Sequence, residues 1–283
     1  MQKVLMFGDV NVDIMMGGLE SLPVPDRETI CETYELTVGS SAAICACNYA
    51  SLGGDVSILG LTGQDENGDF MLREMQSYGI NVEHVRRTSE VGTGVTVNLT
   101  HGSNRTQITY PGTIAEFDGS SVDRSVVNEF DHLHFAGPYL QTKFRPHITR
   151  LLDLASEAGL STSLDPQWDV TEGWEFMDEW LPRLTYLFLN RDEALSMSKT
   201  ALPEAAIRWL GAKTACPLVK LGSQGVMIRV GTNVKIVPSY SVEVVDTTGA
   251  GDAFDAGFLL SVLDQGLEFE EAVRFANATA ARS

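Results

Sequence analysis

Short apolar runs rich in β-forming residues alternate with amphipathic stretches of helical length along most of this chain, and this alternation restricts its fold more than any other feature. Strands that are separated by helices pair in parallel, and the helices then cover the faces of the sheet. The 283 residues suffice for one large domain with a full hydrophobic core. The sequence therefore predicts a single α/β domain over residues 1–283, built on a central, mostly parallel sheet.

Six apolar segments are predicted as core strands: Val4–Gly8, Val56–Leu61, His132–Ala136, Ser161–Asp165, Tyr186–Leu189 and Pro217–Leu221. Six amphipathic segments are predicted as helices: Ser41–Leu52, Asn67–Tyr78, Pro146–Ala158, Pro203–Leu210, Ala250–Leu263 and Glu270–Ala281. Two further segments, Glu28–Val38 and Gly94–Tyr110, are extended in character and are not followed by crossover helices. They predict a separate small sheet, with a pair of surface hairpins as the alternative.

The composition argues against several classes of partner. The formal net charge is −18 and the isoelectric point is about 4.6, so neither nucleic acid nor an anionic membrane would attract this chain. No apolar run is long enough for a transmembrane helix, and the first residues lack the apolar segment of a signal peptide. The four cysteines show no metal-binding spacing, which indicates reduced thiols. We therefore expect a cytoplasmic protein.

Two common nucleotide-binding motifs are absent from the sequence. It contains no Gly-x-x-x-x-Gly-Lys-Ser/Thr loop and no Gly-x-Gly-x-x-Gly after the first strand. A phosphate site in this chain must therefore be built in another way.

A run of small residues precedes a helix near the C-terminal end, where residues 246–258 read DTTGAGDAFDAGF. Consecutive amides at Gly249, Ala250 and Gly251 can form a concave anion site, to which the dipole of the following helix adds positive potential. Asp252 lies in the same turn, where its carboxylate can accept a proton from a substrate hydroxyl while the amides hold the phosphoryl charge. The pattern indicates phosphoryl transfer to an alcohol. An ordinary glycine loop with a helix-capping aspartate is the alternative.

The whole segment 246–258 resembles the C-terminal signature of the ribokinase-like, PfkB-type carbohydrate kinase family. A second segment, residues 39–44, reads GSSAAI and resembles the N-terminal family signature, in which a Gly-Gly pair precedes small residues and an asparagine. Ser40 replaces the second glycine and Ile44 replaces the asparagine, so no sugar contact is carried over to Ile44. The resemblance covers nearly the whole chain. It implies a ribokinase-like fold with a β-sheet lid, formed by about residues 14–38 and 92–112, that excludes water.

The resemblance also implies where an acceptor binds. Asn11 and Asp13 follow the first predicted strand, and polar groups at the carboxyl end of a strand suit a hydroxyl-rich ligand. The family aspartate at this place binds substrate hydroxyls, which implies that role for Asp13, with Asn11 as a second candidate. Gly39, Ser40 and Ser41 open a helix where backbone and hydroxyls can approach the ligand. A turn residue at Asp13 and simple helix capping by the serines are the alternatives.

Cofactor sites are implied at two places. Asn190 and Glu193 have the spacing of one helical turn, and their oxygens can organise Mg²⁺ through water near nucleotide phosphates. The pair resembles the Asn-x-x-Glu motif of these kinases, although the same pattern often starts a helix. Asp246 and Thr248 align with family positions that give oxygen ligands to K⁺. The resemblance thus implies ATP and Mg²⁺, with K⁺ as a further candidate.

Four more residues are implied to contact the nucleotide. Lys220, Gly222 and Gly225 form a tight turn after a predicted strand, with a cation beside it that suits phosphate; alone, this pattern is a β-turn. Asn277 resembles the residue that lies against the adenine. These positions complete the predicted ATP site.

Taken together, the residues predict an ATP-dependent kinase that transfers the γ-phosphoryl group to a primary hydroxyl of a small sugar-like acceptor, with Asp252 as general base. The resemblance implies that residues 92–95 lie close to the acceptor, and because they carry no Arg or Lys, an unphosphorylated acceptor is favoured. Because of Arg105, a sugar phosphate is an alternative acceptor, and because Ile44 is apolar and suits a base, a nucleoside is another. A catalytically silent sugar- or nucleotide-binding homologue is the alternative from another class. Analogy with relatives also implies a homodimer that forms through the lid.

Overall fold

The computed structural model describes residues 1–102, 104–120, 122–242 and 248–282. The strands in these ranges are β1 Lys3–Phe7, β2 Asn11–Gly17, β3 Thr33–Val38, β4 Asp55–Gly63, β5 Val85–Thr88, β6 Gly94–His101, β7 Asn104–Tyr110, β8 His132–Ala136, β9 Ser161–Asp165, β10 Tyr186–Asn190, β11 Cys216–Lys220, β12 Val226–Val230 and β13 Asn233–Val237. The α-helices are α1 Ser41–Ser51, α2 Glu66–Ser77, α3 Thr113–Glu116, α4 Arg124–Val127, α5 Ile148–Ala158, α6 Met177–Trp180, α7 Arg191–Ser198, α8 Pro203–Leu210, α9 Ala250–Leu263 and α10 Phe269–Ala280.

The main sheet has nine strands in the order β13-β12-β11-β10-β9-β8-β1-β4-β5. Every pair from β11 to β5 is parallel, whereas β12 and β13 pair antiparallel at one edge. The difference follows from the connections, because short turns join β11 to β12 and β12 to β13 while longer crossovers join the parallel strands. The predicted mostly parallel sheet is confirmed.

All six predicted core strands are present, each displaced by at most two residues at an end. The antiparallel pair β12 and β13, the edge strand β5 and the short helix α7 were not predicted. Strand β5 is a four-residue segment with two central arginines that are exposed. Such a segment has no apolar periodicity, and its pairing with β4 depends on backbone hydrogen bonds that the sequence does not display.

Two hydrophobic layers cover the sheet, and β1 shows how the sequence divides between them. Leu5 and Phe7 belong to the layer under α4–α8, whereas Val4 and Met6 belong to the layer under α1, α2, α9 and α10. All four side chains have no exposed area, as the two-residue period of a strand buried on both faces requires. This double cover fixes the strand ends that carry the site.

A separate four-stranded sheet, which we call the lid sheet, has the order β3-β2-β6-β7. Strand β2 pairs antiparallel with β3 and parallel with β6, which forms a hairpin with β7. The parallel pairing joins segments that are far apart in the chain, so a pair of independent surface hairpins is excluded. Only Thr33–Val38 of the predicted segment 28–38 is a strand, and β2 extends the sheet back to Asn11.

No helix within the described ranges has the length and apolar character that crossing a bilayer requires.

Candidate active site

A cleft of about 450 Å³ opens between the lid sheet and the carboxyl ends of the parallel strands, and we call it the lid cleft. Its lining residues are Asp9, Asn11, Asp13, Ser40, Ser41, Ile44, Thr96, Arg105, Gln107, Thr109, Gly137, Leu140, Asp165, Gln167, Asn190, Glu193, Lys220, Gly222, Thr248, Gly249, Gly251 and Asp252. Ligands of open α/β sheets bind at this edge, because loops that follow parallel strands converge there. The fold thus gathers most of the predicted site residues around one cleft.

Helix α9 begins at this cleft with the predicted anion nest. Gly249 precedes the helix with φ of +76°, a conformation that glycine adopts without strain. The N-cap residue Gly249 has no side chain that could cap the helix and compete for the first amides, which include those of Ala250 and Gly251. Asp252 is the third helical residue and is only 8% exposed. The carboxyl group and the amides therefore occupy one helical turn at the cleft wall.

The environment of Asp252 favours its protonated form. Burial raises the pKa of this carboxyl well above its usual range, and the charge of Asp165 raises it further. The Lys220 ammonium and a hydrogen bond from Ser41 act in the opposite direction. A raised pKa of this kind is typical of catalytic acids and bases.

Lys220 makes two contacts that the sequence did not predict. Its Nζ atom lies 2.8 Å from Oδ2 of Asp165, at the end of β9, and 3.2 Å from Oδ1 of Asp255 on α9. Burial raises the pKa of Asp255 well above its usual range, whereas the Lys220 charge and hydrogen bonds lower the pKa of Asp165 against the effect of burial. The lysine thus bridges two buried carboxyl groups while it lines the cleft.

Asp13 is held in a polar network on the cleft face of the lid sheet. Asn98 donates to Oδ2 of Asp13 at 3.1 Å, and Asn11 donates to Oδ1 at 3.2 Å. Gln107 in turn donates to the amide oxygen of Asn98 at 2.9 Å. A Cβ atom on Gly39 would lie 2.2 Å from Oδ1 of Asp13, so this position requires glycine. Residues 11–13 and 39 are therefore in close contact at the cleft.

The amide oxygen of Asn11 is buried and has no hydrogen-bond partner among the residues that the structure describes. Burial also raises the pKa of Asp13 to about 6. An unpaired buried acceptor is unfavourable, and a ligand hydroxyl could satisfy it.

Ser40 adopts φ of +72° and ψ of 127°, so it takes a backbone conformation that suits the glycine found there in the resembled signature. Its hydroxyl accepts from the amide of Ala43 and donates to the backbone oxygen and the carboxylate of Asp9. Burial raises the pKa of Asp9 to about 6. The serine thus caps α1 and holds Asp9 in the cleft wall.

Asn190 and Glu193 form a reciprocal capping box at the start of α7. Both carboxylate oxygens of Glu193 accept from Asn190, one from its backbone amide at 2.8 Å and one from its side-chain amide at 2.6 Å. Burial raises the pKa of Glu193 to about 7. Across the residues that the structure describes, no cluster of three or more histidine, cysteine or acidic side chains could hold a metal ion. The pair therefore suits water-mediated contact with a metal better than direct ligation.

A second cleft of about 440 Å³, which we call the edge cleft, lies beside the first. Its lining includes Gly222, Gly225 and Asn277, as predicted for the nucleotide site, together with Ala250. A Cβ atom on Gly225 would lie 2.1 Å from the backbone oxygen of Val237, so only glycine fits this turn. Asn277 donates to the backbone oxygens of Val237 and Pro238, which joins α10 to the end of β13. The residues of the predicted turn and Asn277 thus line the same cleft.

The two clefts meet at the anion nest, because Lys220, Gly222 and Gly251 line both of them. The predicted K⁺ ligand Asp246 lies outside the described residues. The other predicted ligand, Thr248, accepts a hydrogen bond from Arg105 at 2.8 Å.

Several residues of the site escaped the sequence analysis. Asp9 follows a predicted strand and Asp165 is the last residue of one, so the rule that selected Asn11 and Asp13 could have found them. Asn98 and Gln107 occupy alternating polar positions in predicted lid strands, which is also a usable signal. Asp255 lies in an almost wholly buried helix, and nothing in its neighbours in sequence indicates a lysine on a distant strand.

A lid sheet over the carboxyl edge of a mostly parallel sheet, with an anion nest and an acid at a helix start, defines the ribokinase-like class of α/β proteins. The family model described as pfkB family carbohydrate kinase matches residues 1–283. The chain belongs to this family, and it is a phosphotransferase with an alcohol group as acceptor.

Individual relatives agree with this assignment. The ATP-dependent ribose-1-phosphate kinase of Halopiger xanaduensis is 31% identical over 285 residues, which cover 99% of this chain and 91% of that protein. The ribokinase of Bacillus subtilis is 24% identical over 100% of this chain and 92% of its own length. The structure of ribokinase from Thermotoga maritima matches with a TM-score of 0.83 at 25% identity, covering 99% of this chain and 92% of that one.

Proposed function

We propose that this protein transfers the γ-phosphoryl group of ATP to a primary hydroxyl of a small sugar-like acceptor. The supporting observation is that the lid cleft and the edge cleft meet at the anion nest beside Asp252. A donor in the edge cleft and an acceptor in the lid cleft would then be joined where amides and a carboxyl group lie in one turn. Such positioning supplies much of the rate enhancement of phosphoryl transfer.

The chemistry assigned to each residue follows from this arrangement. Asp13 and the unpaired oxygen of Asn11 accept hydrogen bonds from acceptor hydroxyls. Asp252 removes the proton of the reacting hydroxyl, whose oxygen forms a bond to the γ-phosphorus as the bond to the β,γ-bridging oxygen breaks. The amides of residues 249–251 stabilise the charge on the transferred group. ADP leaves with the bridging oxygen, and the proton on Asp252 is released to water.

Mg²⁺ would supply charge neutralisation of the donor phosphates, and Asn190 with Glu193 would contact it through water. Both oxygens of Glu193 are already hydrogen-bonded within the capping box, which fits an indirect role. K⁺ receives less support, because the Thr248 oxygen already accepts from a guanidinium group. We therefore assign no step to K⁺.

A phosphorylated sugar is the second candidate acceptor. Arg105 on β7 lines the same cleft as Asp13 and Asp252, and a guanidinium group is well matched to a phosphate. This observation offsets the lack of a cation in residues 92–95. The relative from Halopiger xanaduensis is named for a sugar phosphate, which agrees with this candidate.

The test is ADP release from MgATP across unphosphorylated sugars, sugar acids, sugar phosphates and nucleosides. Turnover that depends on one acceptor supports the kinase and identifies its class. Binding of ATP or sugar in calorimetry, with no ADP release on any acceptor, would instead support the catalytically silent homologue.

A second copy of this chain is the partner that we propose for the outer face of the lid sheet. The paired residues Leu36, Ile14, Val97 and Ile108 form an apolar row across all four strands, and Ile108 is 62% exposed. The other three side chains are half-buried, and a partly exposed apolar sheet face is typical of an interface. Light scattering should give a dimer mass for the wild type and a monomer mass for Ile108→Lys.

The four free thiols are in keeping with a cytoplasmic location.

A further inference from the structure

Three charged side chains from three elements meet in the interior beside the anion nest, and we call them the buried trio. Lys220 at the end of β11 contacts Asp165 at the end of β9 and Asp255 on α9, at 2.8 and 3.2 Å. Asp165 is 2% exposed and Asp255 is 1% exposed. Buried charges are expensive unless they are paired, so the trio is a specific arrangement that the fold must maintain.

The buried trio adjoins the reacting turn directly. Asp255 lies one helical turn after Asp252, so the contact that holds Asp255 also restrains the start of α9. A Cβ atom on Gly251 would lie 3.3 Å from Nζ of Lys220, which places the ammonium against the backbone of the nest. Lys220 therefore lies beside the nest and contacts the helix that carries the proposed base.

The charges around Asp252 are mostly negative. The groups that face it are Ser41 and Cys45 on α1, Asp9 after β1, Asp165 on β9, Lys220 on β11 and Asp255 on its own helix, while Asp13, Arg105 and Glu193 line the same cleft. Asp165 raises the pKa of Asp252, and the Lys220 charge lowers it. Burial raises the pKa of Asp255 well above its usual range, and a hydrogen bond with Asp165 raises it further. Lys220 is thus the cation that offsets the carboxylate of Asp165.

We propose that Lys220 is a positioning residue that fixes the first turn of α9 through Asp255 and supplies the positive charge that offsets Asp165 and favours the ionised form of Asp252 needed for proton abstraction. The inference rests on the proposed function, because it concerns the same base. Lys220 then affects the reaction through Asp252, and this role does not require contact with the nucleotide phosphates.

The test is a pH titration of Asp252 in the whole protein, monitored through the ¹³C signals of labelled aspartate carboxyl carbons. The signal of Asp252 is identified as the one that Asp252→Asn lacks. We expect the midpoint to rise in Lys220→Met and to fall in Asp165→Asn, each by about one unit or more. The acid limb of kcat/KM should move in the same two directions. Opposite shifts are the signature of charge, since a purely structural defect has no reason to reverse sign between the two variants.

Lys213→Met is the matched control, because Lys213 pairs with the exposed Asp178 at 2.8 Å, and it should leave the midpoint in place. If Lys220→Met does not fold, Asp165→Asn alone and the double variant Lys220→Met/Asp165→Asn, which removes both charges, remain informative. The double variant should titrate between the two singles. Shifts in one common direction, or an unmoved midpoint in Asp165→Asn, would overturn the inference. The titration needs no acceptor, so an absence of ADP release counts against the proposed function alone.

Discussion

Nη1 of Arg105 lies 2.8 Å from the hydroxyl oxygen of Thr248, and this hydrogen bond joins lid strand β7 to the residue that precedes the anion nest. The two residues are 143 positions apart in the chain. The lid is therefore linked to the reacting turn by a charged side chain that also lines the cleft.

Arg105→Gln should weaken acceptor use more than it weakens folding. Loss of the charged hydrogen bond removes one contact that holds the lid over the cleft, and we expect kcat/KM for the acceptor to fall about two- to tenfold. A larger loss for a sugar phosphate than for an unphosphorylated sugar would assign Arg105 to the acceptor phosphate. Arg86→Gln is the control, since Arg86 pairs with the exposed Asp118 at 3.1 Å, and steady-state kinetics on both variants decide the matter. Equal kinetics of Arg105→Gln and wild type would contradict a role in the lid.

Gly251→Ala should fold normally but lose turnover. No positive φ prevents alanine at this position, yet its Cβ atom would lie 3.3 Å from Nζ of Lys220 and within the nest. Displacing a phosphoryl group by a fraction of an ångström or more is expected to lower kcat by up to about 10²-fold. Gly173→Ala is a matched control. Its Cβ atom would also lie 3.3 Å from a neighbouring side chain, that of Thr171, but this position is outside both clefts. Melting temperature and kcat should be measured together, and an unchanged kcat in Gly251→Ala would argue against phosphate in the nest.

Asp13→Asn should stabilise the protein at pH 8 and have little effect at pH 4. Burial raises the pKa of Asp13 to about 6, so the folded state binds its proton more tightly than the unfolded chain does. Stability therefore falls as pH rises from about 4 to about 6, by up to about 3 kcal/mol for a shift of about two units. Asparagine cannot ionise, and we expect a gain of about 1–3 kcal/mol above pH 7. Urea unfolding at both pH values, with the exposed Asp178→Asn as control, measures the difference. A gain that is the same at both pH values would contradict this explanation.

The sequence predicted the parts of the fold that depend on local pattern. Buried strands such as His132–Ala136 and Ser161–Asp165 match their predicted bounds, because apolar runs bounded by turns are a direct consequence of burial on both faces. The resemblance placed residues 14–38 and 92–112 in one lid, but local pattern did not predict that β2 pairs parallel with β6, since the tertiary fold alone brings these strands together.

The site shows the same division. Gly249, Gly251 and Asp252 are adjacent in sequence, so their shared turn could be predicted from sequence alone. Lys220 was predicted near phosphate, but its ion pairs with Asp165 and Asp255 span 55 and 35 positions and depend on the order of strands in the sheet. Contacts across a sheet carry no sequence period, and this is why the buried trio became visible only in the structure.

The most direct test of the central claim is the turnover of Asp252→Asn with the best acceptor, measured as ADP release alongside calorimetric binding of MgATP. Removal of a general base is expected to lower kcat by about 10²–10⁴-fold while nucleotide binding persists. The exposed Asp178→Asn should turn over like the wild type. If Asp252→Asn retained wild-type kcat, the carboxyl group at the meeting point of the two clefts would not be the base, and the proposed mechanism would be wrong.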